Sequence, residues 1–259
     1  MVSAQELSRL RHVIELLKPL ERVTVELGAE KNTSISKVTP MSNILTQCHY
    51  KLSRAPVPEN DETARGLQTR LLQHLNQSLG RVEHVRTYAV ATILDPRFKN
   101  KSFDSPAACA GAISAVKELM REAVLERERT PSPQPPLQAA PPEDDFWGEH
   151  DQQVAAQQLP TPTMTVAGMP TELKIYLDQP LEPRQSNPVK YWAEQTRVFP
   201  VLAPVALHYA VIPATSVPSE RLFSEAGATS SERRSRISPK HLRALLFLSG
   251  IAEQDWGGL

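Results

Sequence analysis

The chain has 259 residues with 29 basic and 29 acidic side chains, so no global field draws it toward nucleic acid or anionic lipid, and such a contact would need a local patch. Aromatic residues are only 5%, while Leu, Ala and Val are plentiful, which favours helices over a β-sandwich. Cys48 and Cys109 lie far apart with no Cys/His spacing, and neither a leader nor an apolar run of membrane-spanning length is visible; a reduced intracellular setting, no metal, no cofactor and no membrane contact are expected.

In chain order, Ser3 and Glu6 form a capping-box pattern, after which Leu7, Leu10, Ile14 and Leu17 recur at helical spacing and predict a packed face. Pro19 should kink this helix or start a second one, ending at Gly28. Thr39-Pro40 reads as a cap with proline at the first helical position, and Met41, Ile44, Leu45, Cys48 and Leu52 form one face. His49 then falls on the helix surface. Leu67, Leu71, Leu75 and Leu79 define a further helix, and Val82 to Leu94 another, stopped by Asp95-Pro96. Ser105-Pro106 repeats the cap-proline signature ahead of Ile113, Val116, Met120 and Val124. The first half is therefore all helix.

Composition changes at residues 131–170, which hold nine of the 23 prolines and six glutamines. Such a stretch buries too little apolar surface to offset its chain entropy and reads as a disordered linker, interrupted by an amphipathic island at Phe146 and Trp147. Helical signals resume with Glu172 to Leu177, with a helix capped by Asn187-Pro188, and with Leu202, Val205, Ala206 and Tyr209. Ser216 caps a helix with Gly227 just past its end, and Ser238-Pro239 starts the last one, whose face holds Leu242, Leu245, Leu246 and Ser249.

The tract IPATSVPSERLFSEAG, residues 212–227, sets Glu220 and Arg221 inside the first turns of a capped helix. Taken alone, a carboxylate there is explained by the helix dipole. The wider array W-x7-P-x-L-x3-A-x2-Y-x2-IPATS-x-PSER-x-FS-x-AG, followed by RRSRISP and LRALLFL, resembles the C-terminal dimerisation region of hAT-superfamily transposases and of domesticated BED-type zinc-finger proteins. Upstream, LLKPLERVTVEL, TPMSNIL and YAVATILDPRFK resemble that family's helical insertion domain.

The resemblance implies a mainly α chain: a helical insertion-type domain at 1–129, a Pro/Gln-rich linker at 130–170, and at 171–259 the closing helical portion of an RNase H-like transposase domain. It also implies that Glu220 matches the third of three catalytic acids. Strand transfer needs several carboxylates to hold two Mg²⁺ ions roughly 3.5–4 Å apart. The family's two aspartates lie upstream of the insertion domain, so the chain is expected to lack them and to be no enzyme. Asp95 reads as a structural turn residue rather than their substitute.

The expected partner is a second copy, as a homodimer or higher oligomer, through Trp192, Phe199, Leu202, Tyr209, Phe223, Leu245, Leu246 and Leu248, because these apolar groups need cover. The first domain, a second subunit, or both can supply it. Arg233, Arg234, Arg236 and Lys240 are candidate DNA-backbone contacts, against a solvated turn as the plainer reading, so direct DNA binding is expected to be weak. His208 reads as a packed core or interface histidine rather than a ligand. The function implied is a dimerisation module in the nucleus beside DNA-bound partners. A truncated active transposase and a helical scaffold without a DNA-related role are the alternatives.

Overall fold

The computed structural model describes residues 3–28, 35–54, 62–129, 168–229 and 237–249. Most of the expected linker, with Phe146 and Trp147, and the basic residues Arg233, Arg234 and Arg236 lie outside them. The described residues are mainly α-helical, as expected.

Five helices precede residue 130: α1 (Ala4–Leu27), α2 (Val38–Ser53), α3 (Glu62–Leu79), α4 (Arg86–Ile93) and α5 (Pro106–Arg129). Five follow: α6 (Thr171–Asp178), α7 (Pro188–Glu194), α8 (Leu202–Ala210), α9 (Val217–Thr229) and α10 (Pro239–Ser249). Several starts follow the sequence closely. Ser3 and Glu6 close the capping box of α1, the Asn187 side chain accepts from the Val189 and Lys190 amides, and Ser105 Oγ accepts from the Ala108 amide at 3.3 Å.

Elsewhere tertiary packing overrides local signals. Helix α1 runs unbroken through Pro19 rather than restarting there. Helix α2 begins at Val38, after a 3-10 turn at Ile35–Lys37, so Thr39 sits inside the first turn and is not its cap. Its buried face is Thr39, Ser42, Leu45 and His49, which leaves Ile44 exposed and puts His49 in the interior instead of on the surface. The expected helix over Val82 to Leu94 is split, with a 3-10 turn at Val82–His84, extended Val85, and then α4. At that break Glu83 turns inward, and its carboxylate accepts from the Asp104 and Ser105 amides, both at 2.8 Å, at the entrance to α5. Gly227 lies within α9, which continues to Thr229.

One core joins the two sides of residues 130–167. Ala89, Val90, Ile93 and Leu94 of the α4 region and Ala112, Val116 and Met120 of α5 pack with Leu173, Tyr176, Trp192, Phe199, Leu202 and Ala206. Tyr176, Trp192 and Phe199 form its aromatic centre, with Tyr176 and Trp192 ring centroids 4.8 Å apart and Trp192 meeting Phe199 edge-on at 6.0 Å. Burying these large rings stabilises the core that the two sides share.

Candidate functional site

The seam between the two halves is built around LDPRFK, residues 94–99. Helix α4 ends at Ile93, and the last carbonyls of a helix have no partner within it. Tyr176 Oη donates to the Ile93 carbonyl at 3.0 Å, and Trp192 Nε1 donates to that of Leu94 at 2.8 Å. Helix α6 receives the reciprocal service. Lys99 Nζ donates to the carbonyls of Tyr176 (2.6 Å), Gln179 (2.9 Å) and Pro180 (3.2 Å) and lies 4.5 Å from the Tyr176 ring centroid. Each half thus caps a helix end of the other.

Lys99 reaches this position from a left-handed backbone, φ 48°, which a non-glycine residue adopts at a cost of about 1–2 kcal/mol. Its amide donates to the Asp95 carbonyl at 2.9 Å and holds that turn closed. Burial pulls its ammonium down to about 8, opposed by Glu182, and the three carbonyl acceptors favour the charged form. Burial pushes the Tyr176 phenol well above its ordinary value, so it remains a donor. Asp95 accepts from Ser36 Oγ at 2.6 Å and is gripped by Arg97 through Nε at 2.9 Å and Nη2 at 2.6 Å. Asp95 is therefore committed to a buried ion pair within the turn. Glu172 of α6 accepts from the Val201 and Leu202 amides at the start of α8, and burial raises its pKa against those bonds.

The eight apolar residues expected to share one face divide into two sets. Trp192, Phe199 and Leu202 are buried in the chain's own core, and half-buried Tyr209 packs against it. The other four lie on α9 and α10, which pack against each other. There Phe223 is 74% exposed, Leu245 and Leu248 are also exposed, and Leu246 is half-buried. Leu222 and Phe247 extend the patch, and α9 has no buried residue. Large apolar side chains left exposed on two paired helices are the kind of surface at which interaction sites are found.

Glu220 projects from the first turn of α9 into solvent, and its Oε1 accepts from Ser216 Oγ at 2.6 Å. Among the described residues, no group of three or more His, Cys, Asp and Glu side chains could hold a metal ion. The described residues around Glu220 therefore do not fit a two-metal centre. Lys240 is exposed at the start of α10, where Ser238 Oγ accepts from the His241 amide at 3.4 Å. His208 is exposed in the single chain and lies edge-on to Tyr209, so it is not a core histidine.

Residues 172–250 match the model of the hAT family C-terminal dimerisation region. The chain is also 26% identical over 256 residues to human zinc finger BED domain-containing protein 4, an alignment covering 96% of this chain and 20% of that protein. Over residues 172–250 the chain is thus similar to the hAT dimerisation region, and it spans about a fifth of the length of the curated relative it matches. The matched region spans both apolar sets: the core-facing helices α6 to α8 and the exposed α9–α10 pair. Sequence reasoning missed Lys99, Tyr176 and Glu172 as the residues that join the halves. Tyr176 and Glu172 carried a faint signal in their places on a short amphipathic helix; Lys99 carried none, because its acceptors lie more than 75 residues away.

Proposed function

We propose that this chain is a hAT-derived self-association module that acts in the nucleus beside DNA-associated partners, without strand-transfer activity of its own. Residues 1–129 serve as a helical insertion-type scaffold, 130–170 as a connection, and 171–259 as the dimerisation region, the closing helices of an RNase H-like arrangement. The observation that carries this reading is the α9–α10 patch. It lies inside the family's dimerisation region and leaves Leu222, Phe223, Leu245, Phe247 and Leu248 open to solvent. Two copies joined there would cover those side chains symmetrically. Direct DNA contact is left to Lys240 with Arg233, Arg234 and Arg236, a small set that supports only weak, salt-sensitive binding.

Sedimentation equilibrium on the purified chain tests the proposal. A dimer or higher oligomer is expected at tens of micromolar, where association of roughly −6 kcal/mol already shows. A monomer at that concentration overturns it. Strand cleavage on hAT-type terminal repeats with Mg²⁺ or Mn²⁺ tests the enzymatic part: nicking that disappears in Glu220→Gln would make the chain a piece of an active transposase.

A further inference from the structure

Helix α1 is apolar on two sides, and the fold uses one of them. Leu16 is buried, and Val13, Leu20, Val23 and Leu27 are half-buried on the same side, where α1 packs against α2 and α3. On the other side Leu7, Leu10, Ile14 and Leu17 stand in solvent, Leu10 at 54% and Ile14 at 63% exposure. The sequence predicts this stripe as a packed face, and nothing described in the chain covers it.

The spacing of the stripe is informative. Steps of three, four and three residues place Leu7 and Ile14 at the a positions and Leu10 and Leu17 at the d positions of two heptads, the period of a left-handed coiled coil. In the second heptad Ile14 at a with Leu17 at d favours a two-stranded pairing; the first heptad has Leu at both positions. The flanking charges agree. In a parallel, in-register pair, g position Glu6 faces e position Arg11 of the other copy, five residues on, which are opposite charges. Glu6 bonds Ser3 in the capping box through Oε2, and Arg9 on the same helix also acts on its charge. An antiparallel pair would instead bring Arg11 toward Lys18, both at e positions.

We infer that α1 forms a second self-association surface, a short parallel coiled coil with α1 of another copy of this chain. Its occupant is thereby the same helix, held in register by Leu7, Leu10, Ile14 and Leu17. Two heptads alone make a weak contact, and a dimer already joined through α9–α10 would raise the effective concentration of the second α1. The surface itself does not depend on that reading.

Disulfide trapping on the full chain tests it. With Cys48 and Cys109 replaced by Ala, Leu7→Cys and Leu17→Cys should each cross-link to themselves under mild oxidation. In a parallel pair each residue faces its own copy, whereas an antiparallel pair faces Leu7 with Leu17. Arg22→Cys, off the stripe, should cross-link many-fold less. Separately, Leu10→Asp with Ile14→Asp should lower the sedimenting mass while leaving helicity intact, since both residues are already exposed. Single-cysteine chains that stay monomeric on gels, with a sedimenting mass unmoved by the aspartates, overturn the inference, as does cross-linking only between Leu7→Cys and Leu17→Cys. If those results appear while the chain still self-associates, the α9–α10 proposal stands alone. Self-cross-linking that persists while Phe223→Asp with Phe247→Asp leaves the mass unchanged would leave α1 as the interface and remove the other.

Discussion

Residues 171–210 and 217–249 belong to the same matched region and are both rich in large apolar side chains, yet they meet opposite fates. In the first, Trp192, Tyr176 and Phe199 vanish into a core shared with α4 and α5. In the second, Phe223 and Phe247 remain in water. The difference lies in polar anchoring as much as in hydrophobicity. Tyr176 and Trp192 each carry a donor that finishes a helix end of the first half, and Lys99 finishes a helix end of the second. Those bonds orient α6 and α7 on the core. The contacts of Ser216 with Glu220 and of Ser238 with His241 are local to α9 and α10 and cap those helices. Apolar content selects which segments seek cover; directional bonds decide which of them find it within the chain.

The contrast can be broken at its strongest point first. Trp192→Ala should cost about 3–5 kcal/mol, since it opens a cavity at the aromatic centre and leaves the Leu94 carbonyl without its donor. Urea unfolding would measure it, and a loss near zero would mean that the halves do not share this core. Lys99→Met keeps the length of the side chain but deletes the charge and its donors. It should cost about 1–3 kcal/mol through carbonyls left buried and unbonded. Native-state hydrogen exchange should show the loss concentrated in α6.

A milder effect tests the first half by itself. Burial lowers the pKa of His49 below its ordinary value of 6.5. The unfolded chain therefore takes up the proton first as pH falls, and stability contributed by neutral, buried His49 is lost on acidification below about 6.5. His49→Leu should flatten the slope of unfolding free energy between pH 7 and 5. An unchanged slope would place that titration elsewhere. The smallest effect on folding is expected on α9–α10: Phe223→Asp with Phe247→Asp should shift monomer stability by no more than about 0.5 kcal/mol per site while reducing self-association. A large stability loss there would erase the distinction between the two regions.

Much of the fold was legible locally. Capping boxes, proline starts and apolar periodicity name nearly every helix, because those signals act within one or two turns. Where the reading slipped, the cause was remote. Thr39 looked like a cap until the 3-10 turn before it took that place, and Val82 to Leu94 looked continuous until Glu83 was needed at α5. On α1 periodicity named Leu7, Leu10, Ile14 and Leu17 as a packed face, yet they stand in solvent, since spacing reports that a face exists and not what lies against it. The candidate site divided for the same reason.

By itself, the sequence determined a mainly helical chain, the positions of most helix starts, the hAT relationship carried by residues 172–250, and the apolar set that requires cover. Only the tertiary structure decided how that set is shared. It assigned Trp192, Phe199 and Leu202 to the chain's own core and left Phe223, Leu245 and Leu248 in solvent. The physical reason is that capping and periodicity are set by neighbours along the chain. Burial of a ring, or of the Lys99 ammonium, depends on acceptors and volumes supplied from across the fold, and no local stretch encodes those.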